Sequence, residues 1–196
     1  MTQAEPHSDK TTPVAGILNA ANILTGVRVL LVPLFGWLLL SHPDSVPYRI
    51  AAVVVFVIAS VTDRIDGELA RKHGLVTEVG KMADPIADKA LMGMALIGLS
   101  LLDELPWWVT VVMLVREVGI TVLRFVVLRR GVIPASRGGK LKTMVQAVAI
   151  GLYLLPLPDG WHILAEVAMA VALVLTVVTG VDYVRSAIAR SRGRRS

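Results

Sequence analysis

Long apolar segments constrain this chain more than any other feature of its sequence. Six predominantly apolar stretches are separated by short polar joints, at residues 22–40, 48–70, 84–102, 106–128, 141–155 and 161–183. About 20 such residues are enough for a helix to cross the hydrocarbon of a bilayer. Because lipid cannot hydrogen-bond the backbone, a spanning segment must satisfy its own polar groups. The sequence therefore predicts an all-α integral membrane protein with six transmembrane helices.

Composition agrees with one membrane domain. Of the 196 residues, 55% are hydrophobic and only 18% are charged, which is too apolar for an ordinary soluble domain. We expect a polar N-terminal tail over residues 1–16, the membrane domain over 17–184 and a basic C-terminal tail over 185–196. The chain has no cysteine, which excludes disulfides and thiolate metal sites.

The distribution of basic residues predicts how the helices are oriented. The connections 41–47, 102–106 and 156–160 contain no lysine or arginine, whereas the opposite connections and the C-terminal end are rich in both. By the positive-inside rule, both termini are then cytoplasmic. The net charge of +5 collects beside the ends of apolar segments, which is typical of contact with an anionic membrane surface rather than with nucleic acid. We expect a multi-pass protein of the cell (inner or plasma) membrane.

Four aspartates lie where two of these segments meet the cytoplasmic surface. Asp63 and Asp66 are spaced i,i+3, and Asp84 and Asp88 are spaced i,i+4, so each pair shares one helix face. Carboxylates beside hydrocarbon need a positive partner. Divalent cations that prefer oxygen ligands meet that need, and two of them about 3.5 to 4 Å apart can clamp a phosphoryl group. The pattern therefore predicts a site for two Mg²⁺ or Mn²⁺ ions with its active site on the cytoplasmic side.

The whole stretch reads D-x-x-D-G-x-x-A-R-x8-G-x3-D-x3-D, with every fixed position filled. It resembles the signature of the CDP-alcohol phosphatidyltransferases, which are integral membrane enzymes of phospholipid synthesis. The resemblance implies that Asp63, Asp66 and Asp84 are metal ligands. It also implies that Asp88 completes the shell of the second ion and accepts the proton of the attacking alcohol.

The same resemblance implies a set of residues that bind the CDP-linked donor. Gly67 follows Asp66 directly, where a side chain would block the nucleotide from the metals. Arg71 supplies a fixed positive charge for phosphate oxygens. Thr77 is a cytidine or phosphate contact by family position, although a hydroxyl that caps a turn is an equally good reading. Asn22 belongs to an N-terminal element, residues 19–28, and is assigned to the nucleotide pocket, with N-capping as the alternative.

That element, with Arg116-Glu117 and residues 139–143, resembles the phosphatidylglycerophosphate synthase branch of the family. The branch implies CDP-diacylglycerol as donor, sn-glycerol 3-phosphate as acceptor and CMP as leaving group, and the family implies a homodimer. Arg116 lies about ten residues inside its apolar segment, about 15 Å from the outer end. An arginine there must face a polar cavity or a partner such as Glu117.

A phosphorylated acceptor requires positive charge. Arg116, Arg137, Lys140 and Lys142 are therefore predicted to bind the acceptor phosphate, with positive-inside anchoring as the alternative for Arg137 and Lys142. Glu117 and Arg124 are spaced i,i+7, which suggested an ion pair within one helix.

Two other functions stay open at the level of sequence. The aspartate motif handles the shared donor, so it fits equally an enzyme whose acceptor is inositol phosphate, serine or phosphatidylglycerol. A protein of another class, a small ion transporter, could line a cation path with the same acids. Transport sites tend toward the middle of the membrane, whereas these aspartates follow the apolar segments near their cytoplasmic ends.

Overall fold

The computed structural model describes residues 20–73, 78–128, 137–158 and 160–192, with side chains over 26–62, 86–123, 142–158 and 160–186. Within these ranges the chain is helical and contains no β-strand. The six helices, in order, are α1 Ala20–Ser41, α2 Val46–His73, α3 Glu78–Leu101, α4 Trp107–Leu128, α5 Arg137–Leu154 and α6 His162–Arg192. For the described residues, the prediction of an all-α fold with six helices is confirmed.

Several helices continue beyond the apolar segments that predicted them. α2 ends at His73 rather than near residue 70, α3 begins at Glu78 rather than at 84, and α6 ends at Arg192 rather than near 183. Each extension contains charged residues, which lower its mean hydropathy below that of the apolar segment beside it. A helix needs only its own backbone hydrogen bonds to continue into water.

One core joins all six helices. α1 packs against α2 and α3, α5 packs against α2, α3 and α6, and α4 packs against α3 and α6. Its largest fully buried apolar side chains come from five helices and the loop before α4: Phe35, Leu39, Phe56, Leu91, Leu96, Leu99, Leu105, Met113, Ile150 and Leu154. Many valines, leucines and isoleucines face outward instead, as expected where the surroundings are lipid.

Glycines on α1 and α3 lie against side chains of the opposite helix. A Cβ placed on Gly98 would stand 2.6 Å from Cδ2 of Leu39, and one on Gly36 would stand 3.0 Å from Sδ of Met94. Two glycines, one on each helix, therefore receive side chains from the opposite helix. Small residues at such contacts let helix backbones approach closely in a membrane, where packing rather than the hydrophobic effect drives association.

α3 ends in a Schellman cap. Asp103 adopts a left-handed backbone conformation with φ of 57°, the N–H of Glu104 donates to the carbonyl of Leu99 at 3.0 Å, and the N–H of Asp103 donates to the carbonyl of Ser100 at 3.2 Å. These bonds satisfy carbonyls that the last turn would leave unpaired. The cap turns the chain sharply toward α4 and presents the side chain of Glu104 to α2.

Glu104 meets Arg49 at that end of the molecule. Nη2 of Arg49 lies 2.7 Å from Oε2 of Glu104 and donates to the carbonyl of Tyr153 at 3.1 Å. Arg49 is 7% exposed, so its charge is neutralised inside the protein rather than in water. We call this contact the Arg49 clasp; it joins the start of α2, the α3–α4 loop and the end of α5.

By length and composition, one stretch of the described residues is apolar enough to cross a membrane, His162–Ser186 in α6. Its mean hydropathy is 2.3 and only 28% of it is buried inside the protein. Shorter apolar helical stretches cover Gly26–Ser41, Val46–Thr62 and Lys142–Leu154. Trp107, Trp108 and Trp161 are all about half exposed or more at the end that carries the Arg49 clasp.

Candidate active site

The four motif aspartates belong to two consecutive helices. Asp63 and Asp66 are part of α2, and Asp84 and Asp88 are part of α3. Asp88 is half-buried, whereas the side chains of the other three aspartates lie outside the described residues. Asp88 stands about ten residues from the first residue of α3, or about 15 Å along its axis. The motif therefore lies several turns inside these helices, not at their ends.

Asp88 lines a cleft between α2, α3 and α5. The cleft has a volume of about 280 Å³, and its lining is mainly apolar: Phe56, Val57, Ser60, Val61, Asp88, Met92, Thr143, Met144, Ala147, Val148 and Gly151. Asp88 is its only charged lining residue among the described ones. The hydroxyl of Ser60 is buried there without a hydrogen-bond partner in the described structure. The cleft therefore combines a long apolar wall with one carboxylate, from Asp88, and two hydroxyls, from Ser60 and Thr143.

No group of three or more histidine, cysteine, aspartate or glutamate side chains that could hold a metal ion occurs among the described residues. Three of the four predicted ligands fall outside that part of the chain. The donor set nevertheless suits a hard cation, because it consists of carboxylate oxygens alone. Asp88 is half-buried on a cleft wall, where a carboxylate benefits from a positive partner.

Beside the cleft, one carboxylate contacts three cations from three helices. Glu117 of α4 has Oε2 3.1 Å from Nζ of Lys89 on α3, and Oε1 3.2 Å from Nη1 of its neighbour Arg116. Oε1 also contacts Nζ of Lys142 on α5. We call Lys89, Arg116, Glu117 and Lys142 the Glu117 cluster. Arg116 thus contacts Glu117, which the sequence named as one possible partner beside a polar cavity.

The members of the Glu117 cluster differ in exposure. The side chain of Lys142 is 3% exposed, those of Arg116 and Glu117 are 16% and 18% exposed, and that of Lys89 is 34% exposed. An ammonium as buried as that of Lys142 requires a countercharge, which Glu117 provides. Lys89 is the most accessible cation of the cluster.

Arg116 is anchored on the last helix as well as on Glu117. Its Nε donates to the carbonyl of Thr176 at 3.1 Å, and its Nη2 donates to the hydroxyl of Thr179 at 2.8 Å. Gly180 leaves room for the stem of the arginine, since a Cβ there would lie 3.2 Å from its Cγ. An arginine deep in an apolar segment is thus accommodated by polar groups on α6, as its position required.

The remaining predicted residues are only partly described. Asn22, Gly67, Arg71, Arg137 and Lys140 belong to helices, but their side chains lie outside the described residues, and Thr77 lies outside them altogether. The side chain of Arg124 is likewise outside that range, so the proposed Glu117–Arg124 pair stays a prediction. Arg28, of the N-terminal element, is 2% exposed and does not snorkel to a surface.

Two charged residues escaped the sequence prediction. Lys89 is the sixth residue of the apolar segment 84–102 and follows Asp88 directly. A search for every cation inside an apolar segment, the test that singled out Arg116, would have included it. Arg49 could have been found in the same way, because it is basic at an end of the molecule where the connecting loops carry none.

With this geometry in view, comparison with known proteins defines the class. Residues 18–178 match the sequence model of the CDP-alcohol phosphatidyltransferase family, so the chain belongs to that family. The resemblance seen in the aspartate motif is confirmed.

The individual relatives indicate which branch of the family this chain is most similar to. The chain is 55% identical over 188 residues to the probable phosphatidylglycerophosphate synthase of Mycobacterium tuberculosis, covering 94% of this chain and 89% of the relative. It is 38% identical over 181 residues to the CDP-diacylglycerol–glycerol-3-phosphate 3-phosphatidyltransferase of Bacillus subtilis, covering 85% and 94% of the two chains. A CMP-forming cardiolipin synthase of Streptomyces coelicolor is 34% identical over 148 residues, covering 74% and 69%.

Proposed function

We propose that this protein is a phosphatidylglycerophosphate synthase that transfers the phosphatidyl group of CDP-diacylglycerol to sn-glycerol 3-phosphate and releases CMP. The observation that carries the proposal is the complete aspartate motif on α2 and α3 in a chain 55% identical to a relative of that name. The cationic Glu117 cluster beside Asp88 supports the choice of a phosphorylated acceptor.

The aspartates form the catalytic end of the site. Asp63, Asp66, Asp84 and Asp88 would hold two Mg²⁺ or Mn²⁺ ions, which when bound supply the positive charge that spreads the charge of the donor pyrophosphate. Asp88 accepts the proton of the acceptor hydroxyl. The oxygen of that hydroxyl forms a bond to the phosphorus next to the lipid. The bond from that phosphorus to CMP breaks, and CMP leaves with the electron pair.

The cleft would bind the lipid part of the donor. Its apolar walls on α2 and α5 suit an acyl chain of diacylglycerol, and Ser60, Asp88 and Thr143 provide its polar groups. Asn22, Gly67, Arg71 and Thr77 complete the binding of the CDP moiety in this proposal. A lipid substrate can then enter from the bilayer while its headgroup stays at the motif.

Positively charged side chains would bind the phosphate of the acceptor. Arg116 and Lys142, with Arg137 and Lys140 from the start of α5, are proposed to attract and hold the phosphate of glycerol 3-phosphate. Because that phosphate is a monoester with a charge near −2 at neutral pH, it gains more from such a cluster than serine would.

The proposed function also implies a position in the membrane. Six helices span the bilayer in this proposal, both termini face the cytoplasm, and the motif lies at the cytoplasmic side of the cell membrane as part of a homodimer. The tryptophans and the Arg49 clasp then mark the opposite side. The buried Arg49–Glu104 pair explains how one arginine is tolerated there.

A second acceptor is favoured by one observation. The relative from Streptomyces coelicolor is named a CMP-forming cardiolipin synthase, and CMP is also the leaving group in the proposed reaction. Its lower identity and coverage make phosphatidylglycerol the second candidate acceptor rather than the first.

An acceptor panel tests the proposal. Purified protein is given radiolabelled CDP-diacylglycerol with glycerol 3-phosphate, inositol phosphate, serine or phosphatidylglycerol, with and without Mg²⁺. We expect CMP release and a new lipid phosphomonoester with glycerol 3-phosphate in the presence of Mg²⁺ and none after chelation. Product with phosphatidylglycerol instead would establish the cardiolipin-forming alternative. Cation transport by a protein that releases no CMP with any acceptor would favour the transporter.

A further inference from the structure

The cleft opens sideways between α2 and α5. Four exposed side chains, two from each of these helices, form its rim: Val57, Val61, Met144 and Val148. The buried side chains of Phe56 and Met92 form its inner wall. In the proposed membrane placement, an exposed apolar rim faces lipid hydrocarbon. A molecule would therefore reach this cleft from the bilayer rather than from water.

The cleft leads away from the aspartate motif. On α2 its lining residues precede Asp63, and on α3 Met92 follows Asp88 by one turn. Ser60 stands three residues before Asp63, so the two positions are neighbours on the surface of α2, about 4.5 Å apart along the helix axis. A lipid whose phosphate lies at the motif would place its next few bonds at the level of Ser60.

Ser60 has a buried hydroxyl that makes no hydrogen bond in the described structure. A hydroxyl within a helix commonly donates to the carbonyl four residues earlier, and those of Thr121 and Thr179 do so at 2.7 and 2.6 Å. Among the described residues, Thr176 and Tyr183 also have a buried hydroxyl without a partner, but neither of them lines the cleft. Because a buried hydroxyl without a partner costs free energy, an acceptor on a bound molecule would stabilise Ser60.

We infer that Ser60 donates a hydrogen bond to an ester carbonyl of the lipid donor and thereby selects diacyl over dialkyl lipids. The inference rests on the proposed function for the identity of the donor. In a diacylglycerol lipid, the carbonyl carbon on the middle glycerol oxygen lies five bonds from the phosphorus. An extended chain advances about 1.2 Å per bond, or about 6 Å over this distance, which agrees with the position of Ser60 nearly one turn from Asp63. An ether-linked lipid has no carbonyl and would leave the hydroxyl unpaired.

Comparison of two donors tests this role. CDP-diacylglycerol and its di-O-alkyl analogue of the same chain length are each offered with glycerol 3-phosphate, and the ratio of their kcat/KM values is measured. We expect Ser60→Ala to lower the preference for the diacyl donor about three- to tenfold, the effect of one hydrogen bond between neutral groups. Use of the ether donor should stay the same or improve. Ser60→Thr, which keeps a hydroxyl, should retain the wild-type preference.

Ser100→Ala is the matched control. It removes the hydroxyl of another buried serine, which lies outside the cleft and pairs with Thr110 at 2.7 Å. This variant should keep the wild-type preference even where its thermal midpoint falls. An unchanged preference in Ser60→Ala would overturn the inference. So would an equal loss of kcat/KM with both donors, because such a loss would point to a disturbed fold rather than to a lost carbonyl contact.

Binding of the two lipids without acceptor gives a readout independent of turnover. CDP-diacylglycerol should raise the thermal unfolding midpoint of the full-length protein in detergent more than the ether analogue does, and this difference should vanish in Ser60→Ala. Equal shifts in the wild type, or a difference that Ser60→Ala retains, would contradict the inference. If no acceptor supports CMP release but the difference is still lost in Ser60→Ala, the proposed function is refuted and the carbonyl site is supported.

Discussion

At the scale of single residues, the site combines charges whose roles depend on their neighbours. Asp88 faces the cleft, and Lys89, one position further, faces Glu117. Two adjacent residues of one helix point in different directions, about 100° apart, because an α-helix has 3.6 residues per turn. α3 thus contributes an acid to the cleft and a cation to the Glu117 cluster from the same turn.

Replacing Asp88 tests its assigned role. Asp88→Asn should lower CMP release by about 100-fold or more, since in the proposed mechanism Asp88 would serve as both general base and metal ligand. The measurement is CMP formation from CDP-diacylglycerol at saturating Mg²⁺ and acceptor. Asp182→Asn, an exposed aspartate of α6, serves as the control and should retain activity. Full CMP release by Asp88→Asn would contradict the role and favour the transporter.

Sequence reasoning reached some of these residues and missed others for a definable reason. The aspartate spacing and the deep position of Arg116 can be read along one helix. Two of the partners of Glu117, Lys89 and Lys142, lie on α3 and α5, and no spacing within α4 shows them. Periodicity shows only contacts along one helix, and for this reason Arg124 is the predicted i,i+7 partner of Glu117.

At the scale of helices, sequence located the elements better than their ends. All six predicted apolar segments are helical within the described residues, as expected of apolar runs of this length. The polar ends of α2, α3 and α6 were missed, since their helical state depends on backbone bonding that hydropathy does not measure. The contact between α1 and α3 through Gly36 and Gly98 also depends on which helix faces which.

That contact yields a prediction on stability. Gly98→Ala should destabilise the protein by about 1 to 3 kcal/mol, because its Cβ would stand 2.6 Å from a fully buried leucine. Thermal unfolding in detergent measures the change. Gly119→Ala on α4, where a Cβ meets nothing within 4 Å, is the matched control and should leave the midpoint unchanged or raise it. Equal behaviour of the two variants would show that the α1–α3 contact is not tight.

At the scale of the whole molecule, two charged centres lie at different levels and join different helices. The Arg49 clasp connects α2, the α3–α4 loop and α5 through Glu104 and the carbonyl of Tyr153. The Glu117 cluster connects α3, α4 and α5 and reaches α6 through Arg116. Apolar packing determines which helices are neighbours. The two charged centres restrict how neighbouring helices slide along one another.

Breaking the clasp should loosen the molecule without touching the site. Glu104→Gln should destabilise the fold by about 1 to 2 kcal/mol, less than the about 3 to 5 kcal/mol of a fully buried pair, because Glu104 is 34% exposed. A thermal midpoint and both KM values are measured on the same preparation. Asp44→Asn, an exposed loop acid, is the control. A changed acceptor KM with an unchanged midpoint would contradict a purely structural clasp.

The hydrogen bonds that Arg116 donates to Thr176 and Thr179 have a consequence for biosynthesis. Ribosomes make α6 after α1 to α5, yet two of its polar groups hold the arginine that contacts Glu117. A nascent chain that has already inserted every motif aspartate still lacks the support of that arginine. Enzymatic competence should therefore arise only once α6 has docked, so that chains without α6 cannot consume the lipid donor.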